Sequence, residues 1–198
     1  NKITKYFGLE RDIISKTKED IYKVVLAATE LSKKKIGALI VIERDIKLKE
    51  IIATGVALNS EISPQILVNI FTPNTPLHDG AVVISDNKIS AAACMLPLAS
   101  DEDIARELGT RHRAALGISK ESDAIVVVVS EETGKISIAK EGTLIADLKE
   151  EALKKILISN IITKRFKEND KKTIVEKIKN IKFKKNVSEN KDINKNKL

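Results

Sequence analysis

The chain has 198 residues, 42% of them hydrophobic, with a net charge of +7 and one cysteine. That length supports one α/β core with extensions, and a single cysteine excludes a disulfide framework. No apolar run reaches the roughly 18 residues that span a bilayer, and the N-terminus lacks the charged-then-apolar pattern of a signal peptide, so a soluble chain is expected. It begins with Asn rather than Met, and a preceding segment is expected.

In chain order, residues 1–16 read as a linker. From Thr17 to Lys35, Ile21, Val24, Val25, Ala28 and Leu31 recur at helical spacing, which predicts an amphipathic helix capped by Thr17. "IGALIVIE" (36–43) and "AIVVVVS" (124–130) are continuous apolar runs, the pattern of strands covered on both faces. Between them "SPQILVNIFT" predicts a helix with Pro64 in its first turn. "GAVVIS" and "KISAAACMLPL" predict two strands joined by an Asp86-Asn87 hairpin turn, with Cys94 a buried thiol rather than a nucleophile. "SEETGKISIAKEG" reads as a second hairpin in which Gly134 supplies a positive φ, and "LKEEALKKILISNIITKRF" as a closing helix. Hairpins among alternating helices and strands predict a single α/β domain, 17–163, with a central mixed β-sheet flanked by helices.

The positive charge belongs to the tail. Residues 164–198 carry 13 Lys+Arg against 5 Asp+Glu, and the rest of the chain is close to neutral. This Lys/Asn-rich stretch reads as solvated, partly helical or disordered, with attraction to an anionic membrane or nucleic acid as the other reading. Of the tail's residues only Phe166 and Phe183 are aromatic, which does not make a base-stacking platform, and no nucleic-acid partner is expected.

Walker, dinucleotide-binding and paired CxxC signatures are absent. The two histidines mark the chemistry. In "PLHDGAVVI" Gly80 permits close approach of a ligand, Asp79 stands at the mouth of a strand where a carboxylate could bind a hard cation or take a hydroxyl proton, and His78 could be a second metal ligand. An Asp-Gly turn with an incidental histidine is the plainer reading. In "ELGTRHRAALGIS" flexible Gly109 precedes Thr110 as helix N-cap, with Arg-His-Arg in the first turn, a combination that favours a polyphosphate. Residues two apart point about 200° apart on a helix. Arg111 with Thr110 is therefore the phosphate-facing pair, and Arg113 braces the loop or serves a partner chain. A charged helix start pairing with nearby acids is the alternative.

Asp79-Gly80-Ala81 and Arg111-His112-Arg113 occur in order, with "GALIVIER" upstream and "VVSEETG" downstream. Together they resemble the diadenylate cyclase domain over about residues 20–160, most similarly the membrane-anchored bacterial type. The DNA-scanning type carries further helical domains for which this chain has no room. The resemblance implies the diadenylate cyclase fold and condensation of two ATP into cyclic di-AMP with release of two pyrophosphates. It implies a divalent metal (Mn²⁺, Mg²⁺ or Co²⁺), a head-to-head homodimer required for catalysis, and a full-length protein on the cytoplasmic face of the membrane with a regulatory membrane partner. By the same resemblance, Asp79 binds the metal and assists deprotonation of the 3′-hydroxyl, with His78 beside it. Gly80 and Ala81 line the ribose, Leu96 and Met95 contact adenine, and Gly109, Thr110, Arg111, His112 and Arg113 form the phosphate end. Ser130 and Glu132 lie near the triphosphate and metal. Met95 stands where relatives of this type often have a stacking tyrosine. An ATP-binding regulatory module without cyclase activity is the competing reading.

Overall fold

The computed structural model describes residues 2–99 and 108–163, with side chains from Asp12 onward. The expected basic tail, 164–198, lies outside the described residues. The described residues divide into two units, one up to Ile158 and one from Ser159. Of the second, the described part is a π-helical turn, Ser159–Thr163.

The first unit contains α1 (Lys2–Lys33), β1 (Ala38–Ile42), α2 (Lys49–Ala53), β2 (Val56–Glu61), α3 (Pro64–Phe71), β3 (Ala81–Ser85) and β4 (Lys88–Cys94). It continues with α4 (Thr110–Glu121), β5 (Ile125–Val129), β6 (Ile136–Lys140), β7 (Thr143–Leu148) and α5 (Glu150–Ile158). The strands form one sheet in the order β2-β4-β3-β1-β5-β6-β7. β1 and β3 are parallel, and every other neighbouring pair is antiparallel, so the sheet is mixed as expected.

β1, β3 and β5 are buried at every position. The reason is a helix layer on each face. α1 packs on β5 and β6 and against α3 and α5, whereas α4 packs on β1, β5, β6 and β7. One face contributes Leu39, Val41, Val83, Val126 and Val128 to a cluster with Ala114, Ala115 and Ile118 of α4. That alternation is the period-two side-chain geometry of a strand.

Ile21, Val24, Val25, Ala28 and Leu31 form the buried face of α1, as their spacing predicts. The start of the helix differs. α1 runs from Lys2 through the stretch read as a linker, and Thr17 lies inside it, where its hydroxyl accepts a 3.3 Å hydrogen bond from the Asn87 amide instead of capping a terminus. Ser63 caps α3 ahead of Pro64. Asp86 and Asn87 both have positive φ, 49° and 61°, the geometry of a two-residue hairpin turn.

The topology brings the two motifs together. β1 and β3 begin, and β4 and β5 end, at one edge of the four central strands, where Ala38 faces Val129 and Ala81 faces Cys94. Asp79-Gly80 before β3, Met95-Leu96 after β4 and Ser130 after β5 therefore emerge together.

Candidate active site

Gly80 shapes the first part of this edge. Its φ is +105°, and a Cβ there would sit 2.8 Å from the Ala93 carbonyl carbon and 2.9 Å from the Cys94 carbonyl oxygen. The glycine is thus required by the approach of β4's backbone, a nearer constraint than the approach of a ligand. Opposite it Ala93 has φ 54°, a left-handed conformation costly for a residue with a side chain. Beyond β4, the backbone N–H of Met95 donates to Thr54 Oγ1 at 2.9 Å, and Thr54 in turn donates to the Ile51 carbonyl at 2.6 Å. Ala99 N–H donates to the Arg113 carbonyl at 3.1 Å, and the Arg113 guanidinium reaches back to the Ala99 carbonyl at 3.5 Å. Arg113 holds the loop after β4 against α4, one of the two roles its position allowed.

Asp79, Gly80, Ala93, Cys94, Met95, Leu96 and Leu98 line a cleft of about 510 Å³, together with Thr110, Arg111 and Glu131. Met95 is 70% exposed at its rim. Burial pushes the Cys94 thiol up to about 11, so it stays protonated at neutral pH. His78 is not among the lining residues: its ring Nδ1–H donates to the Thr75 carbonyl at 2.6 Å. Ala81 is fully buried inside β3.

A second cleft, about 440 Å³, is lined by Gly109, Thr110, Arg111 and His112 from the start of α4, and by Ser130, Glu131, Glu132, Thr133 and Lys135 from the loop after β5. The helix cap is Gly109 rather than Thr110, which is the first helical residue, and no side chain caps this end. The first backbone N–H groups of the helix are therefore left for an anion. Burial lowers the pKa of His112, which keeps its imidazole neutral near pH 7. Ser130 Oγ accepts the Thr133 N–H at 3.2 Å and so shapes the loop that carries Glu131 and Glu132.

Thr110, Arg111 and Glu131 line both clefts. The Arg111 guanidinium donates to Glu131 Oε2 at 2.6 Å, and it lies over Gly37, where a Cβ would come 2.5 Å from Nη1. Sequence reading missed both partners. Gly37 had one signal, its position within the apolar run 36–43, where a glycine marks close approach. Glu131 had only its place between Ser130 and Glu132 in "VVSEETG", which set it near the site but not against Arg111, twenty residues away in the chain.

Among the described residues, no group of three His, Cys, Asp or Glu side chains is arranged to hold a metal ion. The carboxylates of Asp79 in one cleft and of Glu132 in the other suit a hard cation that keeps waters and substrate phosphates as its remaining ligands, and do not make an all-protein cage.

Residues 25–144 match the family model "DAC: DisA bacterial checkpoint controller nucleotide-binding". The chain belongs to the DAC family. Among its relatives, "Cyclic di-AMP synthase CdaA" of Bacillus subtilis is 50% identical over 153 residues, 77% of this chain and 54% of that protein. The crystal structure of DacA from Staphylococcus aureus, in a double-cysteine variant, superposes with a TM-score of 0.71 at 46% identity, covering 73% of this chain and 96% of that one. A structure described as a hypothetical membrane spanning protein from Bacillus cereus has a TM-score of 0.62 at 47% identity, covering 64% of this chain and 62% of that one. The family's fold is thus the mixed seven-stranded sheet described above. The chain spans about half the length of the curated relatives it matches. No described helix is long and apolar enough to cross a membrane.

Proposed function

We propose that the chain is a diadenylate cyclase, joining two ATP into cyclic di-AMP and releasing two pyrophosphates. One observation carries this reading: Asp79-Gly80 and Thr110-Arg111-His112 line two adjoining clefts that share Thr110 and Arg111. A nucleotide across this junction would place its triphosphate at the uncapped start of α4, against the Arg111 guanidinium, and its ribose toward Asp79. The base would lie on Met95 and Leu96, with the flexible thioether of Met95 giving a softer platform than a ring.

In each of two equivalent steps the 3′-hydroxyl oxygen of one nucleotide forms a bond to the α-phosphorus of the other, and the bond from that phosphorus to the pyrophosphate oxygen breaks. The hydroxyl proton passes to the Asp79 carboxylate. Each chain holds one nucleotide, so two copies must meet face to face with their clefts opposed; a two-fold pair presents the nucleotides head to tail. Alignment for in-line attack and neutralisation of phosphate charge supply the rate. A divalent cation, Mn²⁺, Mg²⁺ or Co²⁺, would be held by Asp79 and Glu132 and would offset the charge of the phosphates. Neutral His112 serves as a hydrogen-bonding group at the phosphate end, and Ser130 keeps the acidic loop in place.

We place the catalytic domain at 17–163 and the full-length protein at the cytoplasmic face of the membrane, anchored by a preceding segment that a membrane partner could regulate. The description of the Bacillus cereus relative as membrane spanning supports the anchoring. The test is Asp79→Asn, which should bind ATP with an affinity close to wild type and lose at least 100-fold in turnover. Turnover near wild type removes Asp79 from this role. ATP binding by the wild type without any dinucleotide product would favour a regulatory module instead.

A further inference from the structure

We propose that Glu131 is a positioning residue for Arg111, and that Gly37 is the seat on which the pair rests. The guanidinium is confined from two sides. Glu131 Oε2 accepts from Nη1 at 2.6 Å, and the bare Cα of Gly37 leaves room that a methyl group would fill, since a Cβ would lie 2.5 Å from Nη1 and 2.7 Å from Cζ. Gly37 is buried immediately ahead of β1, the central strand. Arg111 itself is 23% exposed, whereas Glu131 is 63% exposed and borne on a turn. A floor and a charged tether thus hold an arginine that lines both clefts. A long side chain so held loses less freedom when it meets a phosphate.

The carboxylate also acts against the substrate. It places a negative charge next to the position assigned to an anion, so it weakens ground-state attraction while fixing direction. This combination has a signature that damage to the fold does not share. Glu131→Gln removes the charge and loosens the tether, so ATP should bind as tightly as before or up to several-fold tighter while kcat falls at least tenfold. Glu131→Asp, which keeps the charge one methylene back, should recover part of that loss. Gly37→Ala crowds the guanidinium most and Glu131 Oε2, 3.0 Å from the added Cβ, less, but keeps the carboxylate's charge, so kcat should fall without tighter binding. The double variant should lose less than the product of the two single losses, because both act through Arg111.

The proposal rests on the reading of this edge as an ATP site, and a second measurement separates the two. In uniformly ¹⁵N-labelled protein without nucleotide, the Arg111 guanidinium resonances, assigned by their loss in Arg111→Lys, should show restricted rotation and slow solvent exchange in the wild type, and should collapse toward free-arginine behaviour in Glu131→Gln and Gly37→Ala. If the wild type makes no dinucleotide, the cyclase reading fails and the seat is decided by these resonances alone. Free rotation of Arg111 in the wild type, a kcat loss smaller than tenfold in Glu131→Gln, or ATP affinity weakened along with turnover would each overturn the proposal.

Discussion

Ser32 Oγ donates a 2.5 Å hydrogen bond to the carbonyl of Gly134, a residue 102 positions further along the chain. This bond pins the end of α1 to the turn between β5 and β6, the turn that carries Glu131 and Glu132. Gly134 has φ 72°, and a Cβ on it would come 2.6 Å from the Ser32 carbonyl oxygen. Ser32→Ala should therefore cost about 1 kcal/mol in urea unfolding. Gly134→Ala should cost about 2 kcal/mol or more, since strain and a backbone collision add. If Gly134→Ala is as stable as wild type, the turn is not held in this way.

A mirrored pair is expected at the other cleft. Gly80→Ala forces a side chain into a φ of +105° against β4's backbone, and should destabilise the protein by more than 2 kcal/mol. Ala93→Gly relieves an alanine at φ 54° and should stabilise it by up to about 1 kcal/mol. Thermal midpoints moving in opposite directions would bear this out, and a fall in both would show that Ala93's methyl contributes more packing than strain.

Glu43, at the end of β1, should give the fold part of its acid sensitivity. Its side chain is 2% exposed. Burial alone would raise its pKa, but hydrogen bonds from the Leu48 N–H, Lys47 and Ser85 together outweigh that and lower it. With the folded value below the unfolded value near 4.5, the stabilisation is full above about pH 4.5 and is lost as the pH falls through the folded value. Glu43→Ala should cost about 3 kcal/mol at pH 7, and the gap from wild type should narrow at pH 3. A gap that does not change with pH would contradict the assignment.

Cys94 lines a cleft, yet it is 1% exposed and its thiol is pushed up to about 11. At pH 8 about one molecule in a thousand would carry the thiolate. Labelling by a thiol reagent should be slow in the native protein, fast in urea, and unaccompanied by a rapid loss of activity. Fast native labelling would show that β4 opens at this end.

Much of the centre of the fold is legible in the sequence, because central strands and packed helices must bury apolar side chains in a period. Val126 to Val129 read as a covered strand, Asp86-Asn87 as a hairpin turn, and Ser63-Pro64 as a helix start, each for a local reason. The edges are not legible. β2 and β7 are the outer strands of the sheet and are exposed or half-buried, so their apolar runs are only three residues long, Val56-Ala57-Leu58 and Leu144-Ile145-Ala146, and neither marks a strand by itself. α2 has five residues and buries none of them. Thr17 has the chemistry of a cap, but its hydroxyl serves Asn87 from within α1. At the site, the residues legible in advance are those whose motif is contiguous, such as Asp79-Gly80 and Thr110-Arg111-His112. Gly37 and Glu131 matter through a third residue distant in the chain, and only the sheet order brings them together.

The central claim is that two chains join two nucleotides across opposed clefts. The direct measurement is the mass of the product, and the rate of its appearance, when the protein is incubated with ATP and Mn²⁺ over a range of protein concentrations. The expected result is a cyclic dinucleotide carrying two adenines with two equivalents of pyrophosphate, formed at a rate that rises more steeply than linearly with protein until the pair is saturated. ADP or AMP as the sole products would contradict the account.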